Sequence, residues 1–233
     1  MTMKEAIYKR KSIRKFDMNP LDNGELAVVL AQFDKLLPLF PNIAYSIEVA
    51  NKTKGMFNIK APHYLILGSE EKEGHLENIG FIGQQMDLFL SANGLGACWL
   101  GGSKPTDIEN SALPYVICIA FGKPAESLHR DPEGFKRKPL AEISTGHDSR
   151  LEAARLAPSG INAQNWHFVA DNGVIHCYRK KPSPLLGFWL GKMGQIDMGI
   201  AICHLAQVSD SFAFGQVTDV ATKKGHIYTG SVI

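Results

Sequence analysis

Ala157-Pro158-Ser159-Gly160-Ile161-Asn162-Ala163-Gln164-Asn165-Trp166-His167-Phe168 leaves a helix and enters a strand. Pro158 cannot continue the helix predicted over Ser149 to Ala157. Trp166 to Ala170 and Val174 to Tyr178 then read as two strands joined through Asp171-Asn172-Gly173, a strong hairpin pattern. Between helix and strand, Ser159, Asn162 and Gln164 place three polar side chains beside two aromatics. That combination suits a ligand with a ring and polar edges. Standing alone, the same stretch also reads as an ordinary capping loop.

Outward from this loop, the sequence alternates helices and short apolar strands. Met3 to Arg10 predicts a short basic helix, and Glu25 to Leu37 a second one, with Asp22 as its N-cap and Pro38 and Pro41 beyond its end. Tyr64 to Leu67 and Tyr115 to Phe121 are apolar runs of strand length. Leu76 to Asn93 carries one apolar stripe (Ile79, Ile82, Met86, Phe89, Leu90) and stops at Gly94. Asp131 to Arg137 reads as a loop. A last helix is expected from about Gln195 to Ser209, and an extended tail from Gly225. Gln85-Met86-Asp87-Leu88 returns as Gln195-Ile196-Asp197-Met198, which suggests two related halves packing their long helices together.

Two more stretches carry chemistry. Arg10-Lys11-Ser12-Ile13-Arg14 sets four potential anion donors in five residues, and guanidinium groups grip phosphate in bidentate fashion. The alternative is a solvated basic face. Gly94-Leu95-Gly96-Ala97-Cys98-Trp99-Leu100-Gly101-Gly102 reads as a glycine-rich turn between two helices. It lacks both the dinucleotide fingerprint and the Gly-Lys-Ser/Thr ending of a P-loop. Its glycines allow backbone N–H groups to approach a flat ligand, or they simply cap a helix.

Composition narrows the classes. The chain has 233 residues, 25 basic against 23 acidic, a net charge of +2 and 45% hydrophobic content. A core of ordinary size is available without disulfides. The charge balance argues against a nucleic-acid partner. Cys98, Cys118, Cys177 and Cys203 form no C-x-x-C pair, which suits buried thiols in a reducing compartment and speaks against zinc. The eight histidines show no metal spacing, and His204, on an apolar helix, reads as a satisfied core residue. With no apolar leader and no run of eighteen apolar residues, the expectation is a cytoplasmic protein with neither membrane nor metal association.

Taken together, the three stretches resemble the nitroreductase family of flavin enzymes, as does Arg137-Lys138-Pro139-Leu140-Ala141-Glu142-Ile143. The likeness runs from Tyr8 to Phe168. It differs from the usual pattern in one respect: the Pro-Ser-x-x-Asn loop lies far beyond the basic motif instead of soon after it. The ordinary family member is a homodimer with flavin at the interface, so this chain resembles the rarer subgroup in which one chain mimics the dimer. The implied fold is α+β (an α/β sandwich), with mainly antiparallel sheets surrounded by helices and internally duplicated. It would be a single domain over 1–233 with halves near 1–145 and 146–233, monomeric as a pseudo-dimer, with a higher oligomer left open.

The resemblance also implies roles. FMN is the expected cofactor, one per chain, with NADH or NADPH as electron donor and a small-molecule substrate. Arg10, Arg137 and Lys138 would hold the phosphate, with Lys11 in the same basic motif. Ser12 would bond the phosphate or ribityl chain, and Arg14 would lie near the N1/O2 edge of the ring. Leu100, Gly101 and Gly102 would bring a backbone N–H near N5, and Pro158, Ser159, Asn162 and Gln164 would approach from the other half. No catalytic side chain is expected, because the chemistry belongs to the flavin. The implied reaction is ping-pong hydride transfer through N5 to nitroaromatic or quinone-like compounds. The fold also hosts dehalogenation, flavin fragmentation and dehydrogenation, and a non-catalytic FMN-binding protein is a further alternative. Asn51, Lys54, Asn58 and Lys60 are open candidates for flavin contact. The stretches Leu37 to Phe57 and Pro182 to Lys192 are candidates to cover the pocket.

Overall fold

The computed structural model describes residues 1–56, 58–108, 111–182 and 187–233, with the side chains of 187–190 left out. The chain begins with helix α1 (Met3–Ile7), set by a capping box in which Thr2 and Glu5 satisfy each other's backbone N–H. Helix α2 (Asn23–Leu30) starts the same way, with Asp22 as the expected N-cap and Glu25 reaching back. Both helices are shorter than the sequence predicts. α1 gives way to a turn at Tyr8 and Lys9, with extended backbone only from Arg10, and the second half of the expected Glu25–Leu37 helix is a short 3-10 turn over Phe33–Lys35.

Strands β1 (Tyr45–Ala50), β2 (Thr53–Gly55) and β3 (His63–Ser69) lead into helix α3 (His75–Ala92). Strands β4 (Gly96–Leu100), β5 (Ser103–Pro105) and β6 (Tyr115–Gly122) follow. Next come helix α4 (Leu140–Ile143), strand β7 (Ser144–Thr145), helix α5 (Leu151–Arg155), and the expected hairpin of β8 (Trp166–Asp171) and β9 (Val174–Lys180). Helix α6 (Gly187–Val208), β10 (Phe214–Gly215) and β11 (His226–Val232) close the chain.

Two expectations are corrected here. The glycine-rich stretch 94–102 is not a turn between helices: its centre is strand β4, antiparallel to β6. Gly96 is required there because Ile13 of the N-terminal segment crosses it, and a Cβ would lie 2.8 Å from the Ile13 side chain. The last helix also begins at Gly187 rather than near Gln195. Three glycines in its first turns (Gly187, Gly191, Gly194) weaken the local helical signal, and packing against α3 overrides it.

The sheets share one connectivity. The first has the order β1-β3-β6-β4 and the second β10-β11-β9-β8-β7. In chain order, strand–strand–helix–strand–strand occurs twice, as β1, β3, α3, β4, β6 and as β8, β9, α6, β10, β11, with matching neighbours in each sheet. All these pairings are antiparallel, and only the short β7 lies parallel to β8. The core lies mainly around α3 and α6, where Ile79, Ile82, Met86, Met198, Ile202 and Leu205 are buried. All four cysteines are buried and free. Among the described residues, no helix is long and apolar enough to cross a membrane.

The α3–α6 contact is reciprocal. A Cβ on Gly80 would lie 2.1 Å from the Ile196 carbonyl oxygen, and a Cβ on Gly199 would lie 1.9 Å from that of Glu77. The counterpart of Asn78-x-Gly80 is therefore Asp197-x-Gly199, and the Gln-x-Asp repeat seen in the sequence is out of step with the structural correspondence. Neither glycine has room for a methyl group without separating the backbones. Gly80→Ala and Gly199→Ala should each cost about 1–3 kcal/mol or more in urea unfolding, whereas Gly194→Ala, with nothing near its Cβ position, should not destabilise the chain.

Candidate functional site

The basic motif is laid down by its own backbone. Beyond α1 the chain runs extended, bridging Arg10 to His129, Ser12 to Ala97 and Phe16 to Pro124. The Ile13 N–H donates to the Ala97 carbonyl at 2.9 Å, and its side chain is fully buried. In extended backbone, alternate residues face opposite ways, so burying Ile13 turns Ser12 and Arg14 to the other side. Glu126 fastens the segment: its carboxylate accepts from the Arg14 N–H at 2.8 Å and from the Lys15 N–H at 3.3 Å, and pairs with Lys11 at 3.4 Å. Lys11 is thus engaged in holding the motif in place.

Arg10 is 1% exposed and pairs with Asp87 of α3, also 1% exposed, at 2.8 Å. The rest of its guanidinium is poorly matched. Nη2 makes long contacts to Asp87 and Ser12, and Nη1 has no hydrogen-bond partner among the described residues. Burial pushes the Asp87 carboxyl upward, opposed by Arg10, Gln84 and Arg130. Gln84 donates to Asp87 at 3.0 Å, accepts from the Trp99 indole at 3.3 Å, and lies 3.1 Å from His204 Nε2. His204 Nδ1 lies 2.8 Å from the Ala153 carbonyl, which assigns its proton to Nδ1. Burial holds the imidazole down to about 3, so it is a neutral core residue, as the sequence suggests.

Around Arg10 gather Arg130 and Arg137. Arg130 donates to the Arg10 carbonyl at 3.0 Å and covers the Phe135 ring at 4.6 Å. Arg137 donates to Asn162 Oδ1 at 2.6 Å and to the Leu156 carbonyl at 3.3 Å, while its Nε has no partner among the described residues. Burial, then neighbouring arginines, pushes both guanidiniums down to about 10: Arg10 and Arg14 act on Arg130, and Arg10, Arg130 and Arg155 on Arg137. They remain charged at neutral pH. Arginines that repel one another around a single buried carboxylate, with guanidinium donors unmatched, form a site short of negative charge. A dianionic phosphate supplies what is missing.

The loop after α5 meets this cluster. Ile161, Asn162 and Gln164 have φ of 50°, 58° and 49°, a left-handed conformation that costs β-branched Ile161 most. Its polar side chains mostly hold the loop itself. Ser159 Oγ accepts from the Gln164 N–H at 3.0 Å, and Gln164 accepts from the Lys138 N–H at 2.7 Å. Asn162 donates to the Lys136 carbonyl at 2.8 Å, and the Lys138 ammonium donates to the Ala163 carbonyl at 3.0 Å. Pro158 is buried at the loop's base. Asp197 of α6 accepts from the Gly160 N–H at 2.9 Å, just as Asn78 of α3 accepts from the Phe40 N–H at 3.0 Å in the counterpart loop.

Met193 of α6 links this loop to the turn after β4. Its methyl group lies 3.0 Å from the Cβ position of Gly101 and 2.4 Å from that of Gly160. Leu100 is buried in the core beneath. Gly101, Gly102, Tyr115, Met193 and Ile196 line a cavity of about 620 Å³. Lys54, from the stretch Leu37 to Phe57, and Lys192, from Pro182 to Lys192, also reach it. Phe57 and residues 183–186 of those stretches lie outside the described residues, as do the side chains of 187–190. Asn58 bonds Thr53 and Ser103, Asn51 lies 3.0 Å from His63, and Lys60 is exposed. Gly101 and Gly102 thus border the large cavity, while Arg10, Arg14 and Arg137 belong to the cation cluster. Lys138 and Gln164 line a separate, smaller cavity.

Sequence reading missed Asp87, Arg130, Met193 and Asp197 as site residues. Asp87 and Asp197 carried a usable signal, each being an acid within an otherwise apolar helix face. Asp197 is the more telling: burial raises its carboxyl to about 7, with the Gly160 N–H pulling the other way. Between about pH 4, where an unfolded Asp titrates, and about 7, the folded chain keeps a proton that the unfolded chain has lost. This group therefore lowers stability as pH rises through that window. Asp197→Asn keeps the acceptor for Gly160, as Asn78 does for Phe40. Thermal unfolding should show the unaltered protein losing on the order of 2–4 kcal/mol between pH 4 and pH 8 through this group, with that slope absent in the variant.

Comparison with known proteins completes the picture. Residues 2–209 match the model of a family described as "Putative TM nitroreductase". A Thermotoga maritima structure described as "a putative nitroreductase" aligns over 100% of this chain and 94% of its own, with 22% identity and a TM-score of 0.68. A nitroreductase family protein from Clostridium difficile 630 aligns over 61% of this chain and 96% of its own, at 17% identity and TM-score 0.49. An FMN-dependent nitroreductase from Clostridium difficile R20291 covers 57% of this chain and 96% of its own, at 16% identity and TM-score 0.44. No curated protein sequence matches at the same stringency.

Proposed function

The chain belongs to this nitroreductase family of oxidoreductases, and we propose that it is an FMN-dependent enzyme reducing nitroaromatic or quinone-like compounds with electrons from NADH or NADPH. The observation that carries the reading is the unmatched cation cluster. Arg10, Arg130 and Arg137 crowd one carboxylate with the Arg10 Nη1 and Arg137 Nε donors unpartnered, next to a loop drawn from the other half of the chain. FMN, when bound, supplies the chemistry of taking up hydride from the nicotinamide and passing it to the substrate.

The protein's part is to bind and orient. Arg10, Arg14 and Arg137, joined by Arg130, neutralise the phosphate and the polar edge of the ring, and Ser12 offers its hydroxyl beside Arg10. Asp87 holds Arg10 at a fixed angle, so the cluster is preorganised before any ligand arrives. Lys11 and Lys138 act at one remove: the first fixes the basic segment through Glu126, the second fixes the loop through the Ala163 carbonyl. Gly101 and Gly102 leave space for a flat ring at the cavity wall, and Ser159, Asn162 and Gln164 keep the opposite loop in its left-handed course.

We further read the chain as one domain over 1–233 that mimics a dimer, its halves near 1–145 and 146–233, with one FMN. The repeated connectivity supports this reading. So does the counterpart loop, where Phe40 replaces the small residues of the active loop and packs against Phe214, with ring centroids 5.9 Å apart.

Purified protein should be yellow, carry one FMN per chain by absorbance, and bleach anaerobically on addition of NADH or NADPH. Protein that stays colourless with added FMN overturns the flavin reading, two FMN per chain overturns the pseudo-dimer, and bound flavin that never bleaches makes it a non-catalytic binder. Arg14→Gln and Arg137→Gln should each weaken FMN binding about tenfold or more, the scale of one charge-assisted hydrogen bond, against less than threefold for Lys11→Gln in the same titration.

A further inference from the structure

The smaller cavity lies on the far side of Lys138 and Gln164, between the start of β8, the end of β9, α4 and the segment before β11. Its volume is about 310 Å³, the lower end of the range for small-molecule sites. Its walls carry Lys138, Lys180 and Lys223 against a single acid, Glu142. The Lys138 ammonium is engaged with loop carbonyls, whereas those of Lys180 and Lys223 have no ion pair or hydrogen bond among the described residues. His226 has Nδ1 3.0 Å from the Lys224 carbonyl, which leaves Nε2 as an open ring nitrogen. Trp166 also borders the cavity, but its side chain is 3% exposed and packs into the hydrophobic core, away from the lysines.

We propose that this cavity binds a phosphate group, free or as a small phosphate ester, through the Lys180 and Lys223 ammonium groups, separately from the flavin site. Two ammonium groups without an ion pair, Lys180 and Lys223, stand at a cavity whose walls hold one carboxylate, so an acceptor-rich dianion is what they lack. His167 fits this arrangement. It lies 5.9 Å from His226 ring to ring, and its Nε2 is 3.0 Å from Thr145. Burial, then Lys223 and His226, holds it down to about 4, so it records the positive field of the cavity without adding charge. Because Lys138 and Gln164 form both the inner wall and the support of the Ser159–Gln164 loop, occupancy here bears on the flavin-side loop through shared hydrogen bonds.

The test is calorimetric titration of the FMN-saturated protein, so that the arginine cluster is already filled, at fixed ionic strength and pH 7. The probes are inorganic phosphate and glycerol 1-phosphate, with chloride as control. Saturable binding of either phosphate probe is expected, weakened at least tenfold in Lys180→Gln/Lys223→Gln and measurably in Lys223→Gln, with FMN content unchanged in both. Heats no different from chloride, undiminished binding in both variants, or loss of FMN together with phosphate binding would each overturn the proposal, the last by assigning the cavity to the cofactor site. Binding that persists when the flavin reading itself fails leaves the site standing on its own.

Discussion

Two helices touch backbone to backbone at Gly80 and Gly199, and the architecture follows from that contact. A single Cβ at either position would collide with a carbonyl oxygen of the facing helix. Holding the axes this close brings the Asn78 and Asp197 side chains to the loops of their own halves, so each helix positions one loop through one hydrogen bond. It also brings Met193 between Gly101 and Gly160, which belong to different halves. The cavity lined by Gly101 and Met193 is thus a product of the crossing.

Electrostatics makes the two halves unequal. Among the described residues, Asp87 is the one carboxylate paired with a guanidinium of the arginine cluster, and it sits where removing either partner leaves a buried charge without compensation, a loss of about 3–5 kcal/mol. The cluster remains positive after that pair is counted, because Arg14, Arg130 and Arg137 have no acid of their own in any ion pair among the described residues. A fold normally avoids unmatched buried donors. Keeping them at one place, beside a strained loop, marks that place as built for something other than stability.

Most elements were legible because their signals are local. Asp22 announced the start of α2, Asp171-Asn172-Gly173 the hairpin, and Ile79, Ile82 and Met86 the buried face of α3. The failures share a cause: glycine was read for its local meaning where its use was tertiary. Gly96 looked like part of a turn, yet it lies in a strand because Ile13 crosses it. Gly187, Gly191 and Gly194 hid the first turns of α6. The strand Tyr45–Ala50 was not recognised at all. The repeat was sensed but misregistered, since Gln85 and Gln195 match in letters while Asn78 and Asp197 match in what they hold. In the site, the motifs located the right segments but not the division of labour. Ser159, Asn162 and Gln164 look like ligand donors in the sequence, and in the structure they spend most of their hydrogen bonds on one another and on residues 136–138.

The loop at Ile161 shows what a single continuous chain permits. Three left-handed residues in four positions store on the order of 1–3 kcal/mol each, and Ile161 stands 91% exposed at the crest. In an assembly of separate subunits, such a loop would meet its opposite wall only while the subunits stayed associated, and dilution would undo the site. Here Arg137 and Asn162 are joined by covalent backbone, so their hydrogen bond is intramolecular at every protein concentration. The loop's left-handed course is therefore held by contacts within one covalent chain.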